Sequence, residues 1–498
     1  MTGSREALRA GTRRWWIGAL LCSAVAVVIR GIAVTDSLWL DEIWSLRSVF
    51  AEMHSVLDVF TFARDNNHQL ISLWMYFVGD AGAVILRLPA LLAGIGTVFL
   101  AARLLRNAGP MAAALAGTVF AFSYLHVVYS SEARGYEPAV CFALAAFGLL
   151  ADHVDRPRRW SATLFATTVI LGMMSHLGFV QFYIAVGLWH AWLTHKKSTP
   201  GGLRSLFAWH LAPVAYLTFL YFAIYRRLEI GGGSSHLDQA LMETVAWGIG
   251  SVTSVVGVTV AAVLASALFI FDMARLRRAG RSEWIFYVLI VAVLPPLTVM
   301  MAGVQDAAPG MSRWSIYPRY FLLNLSFLSL SMCRSAHFLI VRGGVLRVAG
   351  ILVVAWLIIA GSTRIISFLE YGRGDYATVV GRIVDEGRFP VRNSQQPAIP
   401  TITYGGDHTF RTSMIVGYYR LRHGRRDRLL LLVPNADTDR DPRNAPEWYL
   451  LHTFDHEGEI TPFDSGILSA SKVAYSLVAT YRHYGPSGWT WGLYHRQR

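Results

Sequence analysis

The residues best suited to chemistry in this sequence are Asp41 and Glu42, an adjacent acidic pair that follows the first long apolar segment. Carboxylates are costly in hydrocarbon, so an acidic pair at the edge of a bilayer favours a functional role. The pair predicts chemistry at the outer face of a membrane, on a substrate whose tail stays in the lipid. The alternative is that both side chains only favour a helix N-terminus and are solvated there.

A helix over residues 39–52 is the element that must position this pair. Its apolar face consists of Trp39, Ile43, Leu46 and Phe50, and its polar face consists of Asp41, Ser45, Ser48 and Glu52. This spacing predicts an interfacial helix that lies on the membrane, with Asp41 at the centre of its wet face. Glu42 lies about 100° away around the helix, so the two carboxylates are not expected to play the same part.

Further polar residues lie near the outer ends of predicted membrane spans. They are His68, Arg87, Glu132, Arg134, Tyr136, Arg319 and Tyr320. An arginine stays charged and its guanidinium can bind two oxygens, so Arg319 is a natural partner for a phosphate. These residues collect at one predicted depth on one side, and few charges lie at the membrane midplane. This distribution favours a site at the surface over an ion pathway.

A structural interpretation stays open for several of these residues. His68 precedes an apolar stretch at 70–78 that is too short to span, and its role is either structural or in substrate binding. Arg87 either anchors to lipid head groups or meets a lipid phosphate. Glu132 and Arg134 either form an ion pair on a tight connector or face the same outer cavity as Asp41.

The composition identifies most of this 498-residue chain as membrane-embedded, since 54% of its residues are hydrophobic and only 15% are charged. A soluble domain has about 25% charged residues. The net charge of +13 comes from basic residues in short loops between apolar segments, so no binding to nucleic acid is expected. Cys22, Cys141 and Cys333 lie far apart in apolar segments and predict neither a disulfide framework nor a metal site.

A membrane-spanning helix needs about 20 mostly apolar residues. We predict eleven spans, near residues 15–34, 84–104, 111–128, 137–152, 160–176, 178–194, 205–225, 244–271, 284–302, 318–333 and 345–362. Residues 15–34 also have the features of a signal peptide, because Arg13-Arg14 precede the apolar core. Basic residues gather in the loops that are inside when the N-terminus is cytoplasmic. The sequence therefore predicts an integral, multi-pass protein of the plasma (inner) membrane.

The predicted fold is a polytopic α-helical membrane protein with interfacial helices in its first outer loop and a small C-terminal extracytoplasmic α/β domain. Residues 1–362 form the transmembrane domain, and an odd number of spans places residues 363–498 outside. In that tail we predict a helix at 375–384 and strands at 429–433, 448–451, 475–481 and 489–494. The glycine-rich segment 231–235 is either a simple outer connector or a gate for the substrate.

Residues 15–335 resemble the GT-C superfamily of membrane glycosyltransferases, in particular the branch of protein O-mannosyltransferases and the lipid A aminoarabinose transferase. The resemblance is carried by the Asp41-Glu42 pair and by residues 129–136, which look like the family's Tyr-Ser-x-Glu-Ala-Arg-x-Tyr. Arg87-Leu88-Pro89 and Arg319-Tyr320 match more weakly. Where many relatives have His-Pro-Pro, this chain has His68 followed by Gln-Leu.

The resemblance implies a polyprenyl-phosphate-linked sugar as donor and an acceptor that is a lipid, a glycan or a protein, with membrane lipids as surroundings. Asp41 would be the general base of an inverting transfer, and Arg134 and Arg319 would stabilise the leaving phosphate. Glu42 and His68 would orient the acceptor or the phosphate. Together with Asp41 they are also candidate ligands for a divalent cation such as Mg²⁺ or Mn²⁺, which the sequence does not require.

The alternative from another class is a lipid or solute transporter, or a catalytically inactive membrane scaffold. A transporter is expected to have polar residues across the membrane and interrupted helices in corresponding positions of two halves. Pro295-Pro296 is one such interruption, but it has no obvious counterpart. The sequence therefore favours the glycosyltransferase, although it names neither the sugar nor the acceptor.

Overall fold

The computed structural model of the chain describes residues 2–64, 66–155, 160–197, 202–228, 237–306, 317–386, 401–424, 429–453 and 463–497. It forms two compact units. The helical unit consists of Met1–Val34 and Val49–Ile365, and the sheet unit consists of Thr35–Ser48 and Ile366–Arg498. The glycine-rich segment 231–235 lies outside the described residues.

Helices dominate the described chain as far as residue 371. They are α1 (Thr2–Ala33), α2 (Leu40–Ala51), α3 (Gln69–Val78), α4 (Ala83–Leu105), α5 (Pro110–Ala121), α6 (Tyr124–Ser130), α7 (Tyr136–Asp155), α8 (Ser161–Ser175), α9 (Phe179–Lys197), α10 (Gly202–Ala223), α11 (Leu237–Val245), α12 (Val255–Arg278), α13 (Glu283–Tyr287), α14 (Leu294–Asp306), α15 (Leu322–Arg342) and α16 (Gly344–Tyr371). The π-helical segment Val288–Val293 joins α13 to α14.

Seven stretches of the described residues are helical, long and apolar enough to cross a membrane. They are Trp15–Ala33, Ala83–Ala108, Tyr136–Val154, Arg204–Arg227, Val255–Arg278, Glu283–Met300 and Gly344–Tyr371. An eighth crossing results if α5 and α6, which meet at an angle of 60°, count as one bent span. The chain is therefore a multi-pass membrane protein, but the predicted number of eleven spans is not confirmed.

The other predicted spans also coincide with helices. These helices are too short or too polar to count as membrane spans by length and hydropathy. Helix α8 has only 15 residues. Helices α9 and α15 are longer, but Asn324 of α15 donates hydrogen bonds to Gln181 of α9 at 2.9 Å and to the Ile290 carbonyl at 2.8 Å. Polar side chains that pair in this way hold helices together in a membrane while lowering the mean hydropathy of each helix.

A break in the helical structure separates α5 from α6, shortly before the connector that carries the candidate site residues. Ser123 is extended, with ψ of 118°, and interrupts the helical hydrogen bonds before α6 begins. Helix α16 packs closely at this break, because a Cβ atom at Gly361 would lie 1.9 Å from the Phe122 carbonyl oxygen. The glycine therefore permits a backbone approach that any side chain would block.

After α16, the described residues of the sheet unit form two further α-helices and one six-stranded mixed sheet. These elements are α17 (Tyr376–Glu386), β1 (Thr401–Gly406), α18 (Thr409–Arg422), β2 (Leu429–Leu432), β3 (Trp448–Thr453), β4 (Gly466–Leu468), β5 (Ala474–Tyr481) and β6 (Thr490–Arg496). The strand order is β2-β1-β3-β6-β5-β4. Strand β1 is parallel to both β2 and β3, whereas the remaining pairs are antiparallel.

The predicted α/β character of the tail is confirmed. The helix predicted at 375–384 is α17, and the four predicted strands are β2, β3, β5 and β6. The sequence analysis missed β1, α18 and β4. Strand β1 ends in two buried glycines, and a Cβ atom at Gly406 would lie 2.6 Å from the Leu450 carbonyl oxygen. Close packing at the centre of the sheet thus requires residues that weaken the strand pattern.

The segment Thr35–Ser48, which carries the acidic pair, belongs to the sheet unit. The hydroxyl of Tyr419 in α18 donates a hydrogen bond to the Leu38 carbonyl at 2.8 Å. The rings of Trp44 and Phe410 pack edge to face at 5.6 Å. The start of α2 is therefore held by α18 of the same unit.

The prediction that Ser45 and Ser48 lie on a water-exposed face of α2 is wrong. Ser45 and Ser48 are buried, whereas Phe50 of the predicted apolar face is 53% exposed. Arg47, which belonged to neither predicted face, donates a hydrogen bond to the sulfur of Met414 in α18 at 3.0 Å. Helix α2 packs against protein, so the residues that it buries are set by its contacts with α18 and not by a boundary between lipid and water.

Candidate functional site

The connector between α6 and α7, residues 131–135, carries the motif that the sequence analysis singled out. The hydroxyls of Ser130 and Ser131 donate hydrogen bonds to the carbonyls of Val127 and Val128, at 3.1 and 2.8 Å. Gly135 lies so close to the end of α8 that a Cβ atom there would be 1.7 Å from the Ser175 carbonyl oxygen. The connector is thus tied to α6 by serine hydroxyls at its start and packs directly against the end of α8 at its other end.

Arg134 is held inside this connector by defined partners. Its guanidinium donates hydrogen bonds to the side-chain oxygen of Asn66 and, at 3.2 Å, to the hydroxyl of Tyr136. The guanidinium also lies 5.6 Å from the centre of the Tyr136 ring. Only 3% of Arg134 is exposed, so its charge is directed into the protein.

His68 is the second buried member of the site. Its Nδ1 lies 3.0 Å from the Ser175 carbonyl oxygen, and since a carbonyl only accepts, Nδ1 carries the proton. Burial, and then the neighbouring Arg134 charge, hold the pKa of His68 well below its ordinary value. The ring is therefore neutral. Its Nε2 is buried and has no hydrogen-bond partner among the described residues.

Arg319 and Tyr320 approach from the other end of the sequence, on the short 3₁₀ helix Pro318–Phe321. The Arg319 guanidinium lies 4.4 Å from the centre of the Tyr317 ring and 5.9 Å from that of Tyr136. A cleft in this region is lined by residues that include Tyr136, Arg319 and Tyr320.

Five predicted site residues therefore come together in the helical unit, and we call them the cationic cluster. They are His68, Arg134, Tyr136, Arg319 and Tyr320. Glu132 is fully buried on the same connector. Arg87 is also fully buried, and it donates a hydrogen bond to the Val34 carbonyl just after α1, at 3.0 Å. This contact favours a role in joining α4 to α1 over an anchor at lipid head groups.

Asp41 and Glu42 lie in the sheet unit, in different environments. Glu42 is fully buried, and its Oε2 accepts a hydrogen bond from the Trp39 backbone N–H at 3.1 Å. A glutamate that reaches back three residues in this way caps the first turn of a helix. Asp41 is only partly buried. The ring of Trp39 packs edge to face against Trp489, with 6.4 Å between their centres.

The candidate metal ligands belong to two units, with Asp41 and Glu42 in the sheet unit and His68 in the helical unit. Among the described residues, no group of three or more His, Cys, Asp and Glu side chains lies where it could hold a metal ion. His68 offers a single free nitrogen, and Glu42 already accepts a backbone hydrogen bond. We therefore assign no step to a metal.

Sequence reasoning missed three residues that complete the cationic cluster. Asn66 accepts a hydrogen bond from Arg134, Tyr317 packs under Arg319, and His176 lines the cleft. His176 stood at the end of a predicted span, two residues before a glycine. A polar ring at that boundary was the one available signal, and the apolar run before it concealed its role.

Comparison with known proteins gives the fold. No family model and no curated protein matches the sequence. The oligosaccharyltransferase of Archaeoglobus fulgidus, in its apo form, matches with a TM-score of 0.50 and 10% identity, over 87% of this chain and 69% of that chain. The chain has the GT-C fold. The GT-C resemblance of the sequence is therefore confirmed at the level of the fold.

Two structures of ArnT from Cupriavidus metallidurans also match this chain, with lower TM-scores. The apo state matches with a TM-score of 0.48 and 13% identity, over 88% of this chain and 92% of that chain. The form bound to undecaprenyl phosphate matches with a TM-score of 0.46 and 13% identity, over 88% of this chain and 93% of that chain.

Proposed function

We propose that this protein is an integral-membrane glycosyltransferase that moves a sugar from a polyprenyl-phosphate donor to an acceptor of the cell envelope. The acceptor is a glycolipid, a polysaccharide or a protein. The observation that carries the proposal is that the guanidiniums of Arg134 and Arg319 approach one ring, Tyr136, to 5.6 and 5.9 Å. Two permanent cations converging on a largely buried site suit a phosphate group.

The GT-C fold supports the same reaction class, since the archaeal protein with this fold is an oligosaccharyltransferase. A likeness of fold does not name a reaction, so the argument depends on the residues. The cationic cluster combines charge with aromatic rings and a neutral histidine, and it lies beside the ends of apolar helices. These features suit a substrate with a charged head and an apolar tail.

The proposed reaction is an inverting displacement at the anomeric carbon. The acceptor oxygen forms the new bond to that carbon while the proton of its hydroxyl passes to Asp41. The bond from the anomeric carbon to the phosphate oxygen breaks, and the electron pair leaves with the polyprenyl phosphate. Arg134 and Arg319 stabilise the negative charge that grows on this leaving group. Glu42 fixes the first turn of α2 and so orients Asp41.

We place this reaction on the outer face of the plasma (inner) membrane, with the N-terminus in the cytoplasm. The basic residues of the predicted inner loops support this orientation. The first predicted outer loop is acidic by comparison, and it carries both Asp41 and Glu42. The sheet unit is then extracytoplasmic.

The proposal is tested by comparing envelope glycans and glycolipids in cells with and without the gene. We expect one glycosylated envelope component to be missing without the gene and to return with the wild-type chain. Asp41→Asn should not restore it, although that variant should reach the membrane in the wild-type amount. A transporter or scaffold would tolerate the isosteric amide, so full restoration by Asp41→Asn would refute the assignment.

A further inference from the structure

His176 lies in the cleft of the helical unit without an assigned role. It follows α8 directly, and the cleft residues around it include Arg319. The centre of its ring is 4.6 Å from that of Tyr136 and 6.1 Å from that of Tyr320. It also stacks on His68 at 5.4 Å, with 20° between the ring planes. His176 therefore contacts three members of the cationic cluster.

The backbone fixes which nitrogen of His176 carries the proton. The Gly178 N–H donates a hydrogen bond to Nδ1 at 3.0 Å. A nitrogen that accepts a hydrogen bond has no proton, so the neutral ring carries its proton on Nε2. A Cβ atom at residue 178 would lie 2.9 Å from Nδ1. Glycine thus allows the backbone to approach and to set the tautomer.

The ring is held in this neutral form. Burial, and then the positive charges of Arg134 and Arg319, disfavour a second proton on His176. Its Nε2–H has no hydrogen-bond partner among the described residues. An N–H group that lines a cleft beside an arginine is ready to bind an acceptor oxygen of a ligand.

His68 provides the contrast. Its Nδ1–H is used by the Ser175 carbonyl, so its neutral Nε2 offers only a lone pair. Two stacked histidines therefore have opposite tautomers, and only His176 presents an N–H. A phosphate oxygen is an acceptor and needs a donor, which selects His176 over His68.

We propose that His176 binds the phosphate of the lipid-linked donor through its Nε2–H, beside the charge of Arg319. This inference rests on the proposed function, because it assigns a binding residue to the same donor site. The hydrogen bond should strengthen as negative charge grows on the leaving phosphate. His176 thus acts as a neutral hydrogen-bond donor that orients the phosphate, while the arginines balance its charge.

Two substitutions distinguish the roles of the two ring nitrogens of His176. In His176→Asn the side-chain oxygen replaces Nδ1 as the acceptor from Gly178, and the Nε2 donor is lost. In His176→Gln the amide N–H reaches the place of Nε2, and the Nδ1 acceptor is lost. We expect His176→Asn to lower kcat/KM for the lipid-linked donor by about 10- to 100-fold, and His176→Gln to retain more activity. A purely structural role for Nδ1 would give the reverse order and would overturn the inference.

A binding measurement separates this inference from the proposed function. Purified protein in detergent is titrated with farnesyl phosphate and, separately, with inorganic phosphate, and thermal stabilisation is recorded. We expect farnesyl phosphate to stabilise the wild type and the exposed-histidine control His195→Asn equally, and His176→Asn much less. Equal stabilisation of His176→Asn overturns the inference alone. Two results would contradict both the lipid-phosphate site and the proposed function. One is that farnesyl phosphate does not stabilise the wild type, and the other is that inorganic phosphate stabilises it equally well.

Discussion

The cationic cluster of the helical unit and the acidic pair of the sheet unit are built in different ways. The cluster draws His68, Arg134 and Arg319 from three distant parts of the sequence and fixes them through backbone carbonyls and aromatic rings. The acidic pair lies on one helical turn and is fixed by its own cap and by packing around Trp39. The cluster is therefore assembled from three separate segments of the helical unit, whereas the acidic pair is carried by one helical turn that the sheet unit holds in place.

This difference suggests a division of labour within the proposed reaction. The helical unit supplies charge and rigid donors, which suit recognition of a lipid phosphate. The sheet unit supplies a carboxylate that remains partly accessible, which suits proton transfer from an acceptor. Substitutions in the two units are therefore expected to change different kinetic parameters.

The largest effect is expected from the backbone that supports the cluster. In Gly135→Ala the new Cβ would lie 1.7 Å from the Ser175 carbonyl oxygen, so the connector cannot keep its position. We expect loss of folding or of all transfer activity, measured by the yield of monodisperse protein and by turnover. The matched control is Gly187→Ala, because a Cβ at that position of α9 meets nothing within 4 Å. A wild-type level of activity in Gly135→Ala would contradict the described connector.

The next effect concerns the phosphate. Removing one positioned charge from a transition-state site costs on the order of 100-fold in rate. We expect Arg319→Ala to lower kcat/KM for the lipid-linked donor by about this factor, while the KM for the acceptor stays near its wild-type value. The exposed Arg347 provides the control, as Arg347→Ala removes a charge outside the cluster. Unchanged donor kinetics in Arg319→Ala would remove this residue from the site.

The sequence predicted these positions to different extents. Residues 129–136 and the acidic pair were found because each motif is contiguous in sequence. Arg319 was found from its place at the predicted outer end of a span. No pattern could show that its guanidinium lies 5.9 Å from the Tyr136 ring, since that distance is set by the packing of helices that are far apart in sequence.

The errors have physical causes of the same kind. The amphipathic pattern of α2 suggested a membrane surface, but α18, a helix that the sequence analysis did not predict, packs against it. Helix α18 was missed because its 14 residues include arginines near both ends and carry no strong apolar stripe. Arg87 is not among these errors: its contact with a lipid phosphate stays a prediction, and its hydrogen bond to the Val34 carbonyl could not be seen in the sequence.

The smallest effect is expected at Glu42, and it tests whether the two carboxylates differ. Glu42→Gln keeps an oxygen that can accept the Trp39 N–H, so we expect turnover close to that of the wild type. Glu42→Ala loses this cap and should lower the free energy of unfolding of this region by about 1 kcal/mol. Turnover and thermal unfolding are measured together. If Glu42→Gln lost as much turnover as Asp41→Asn, the charge of Glu42 would take part in the chemistry.

The most direct measurement follows the release of polyprenyl phosphate by purified protein in detergent. Wild type and Asp41→Asn are compared with a panel of polyprenyl-phosphate-linked sugars as donors and with envelope extract as the source of acceptor. We expect the wild type to release polyprenyl phosphate from one donor only when acceptor is present. Asp41→Asn should bind that donor normally but turn it over at least about 1,000-fold more slowly, as expected when the general base is lost. Wild-type release by Asp41→Asn, or no release from any donor by the wild type, would contradict the account.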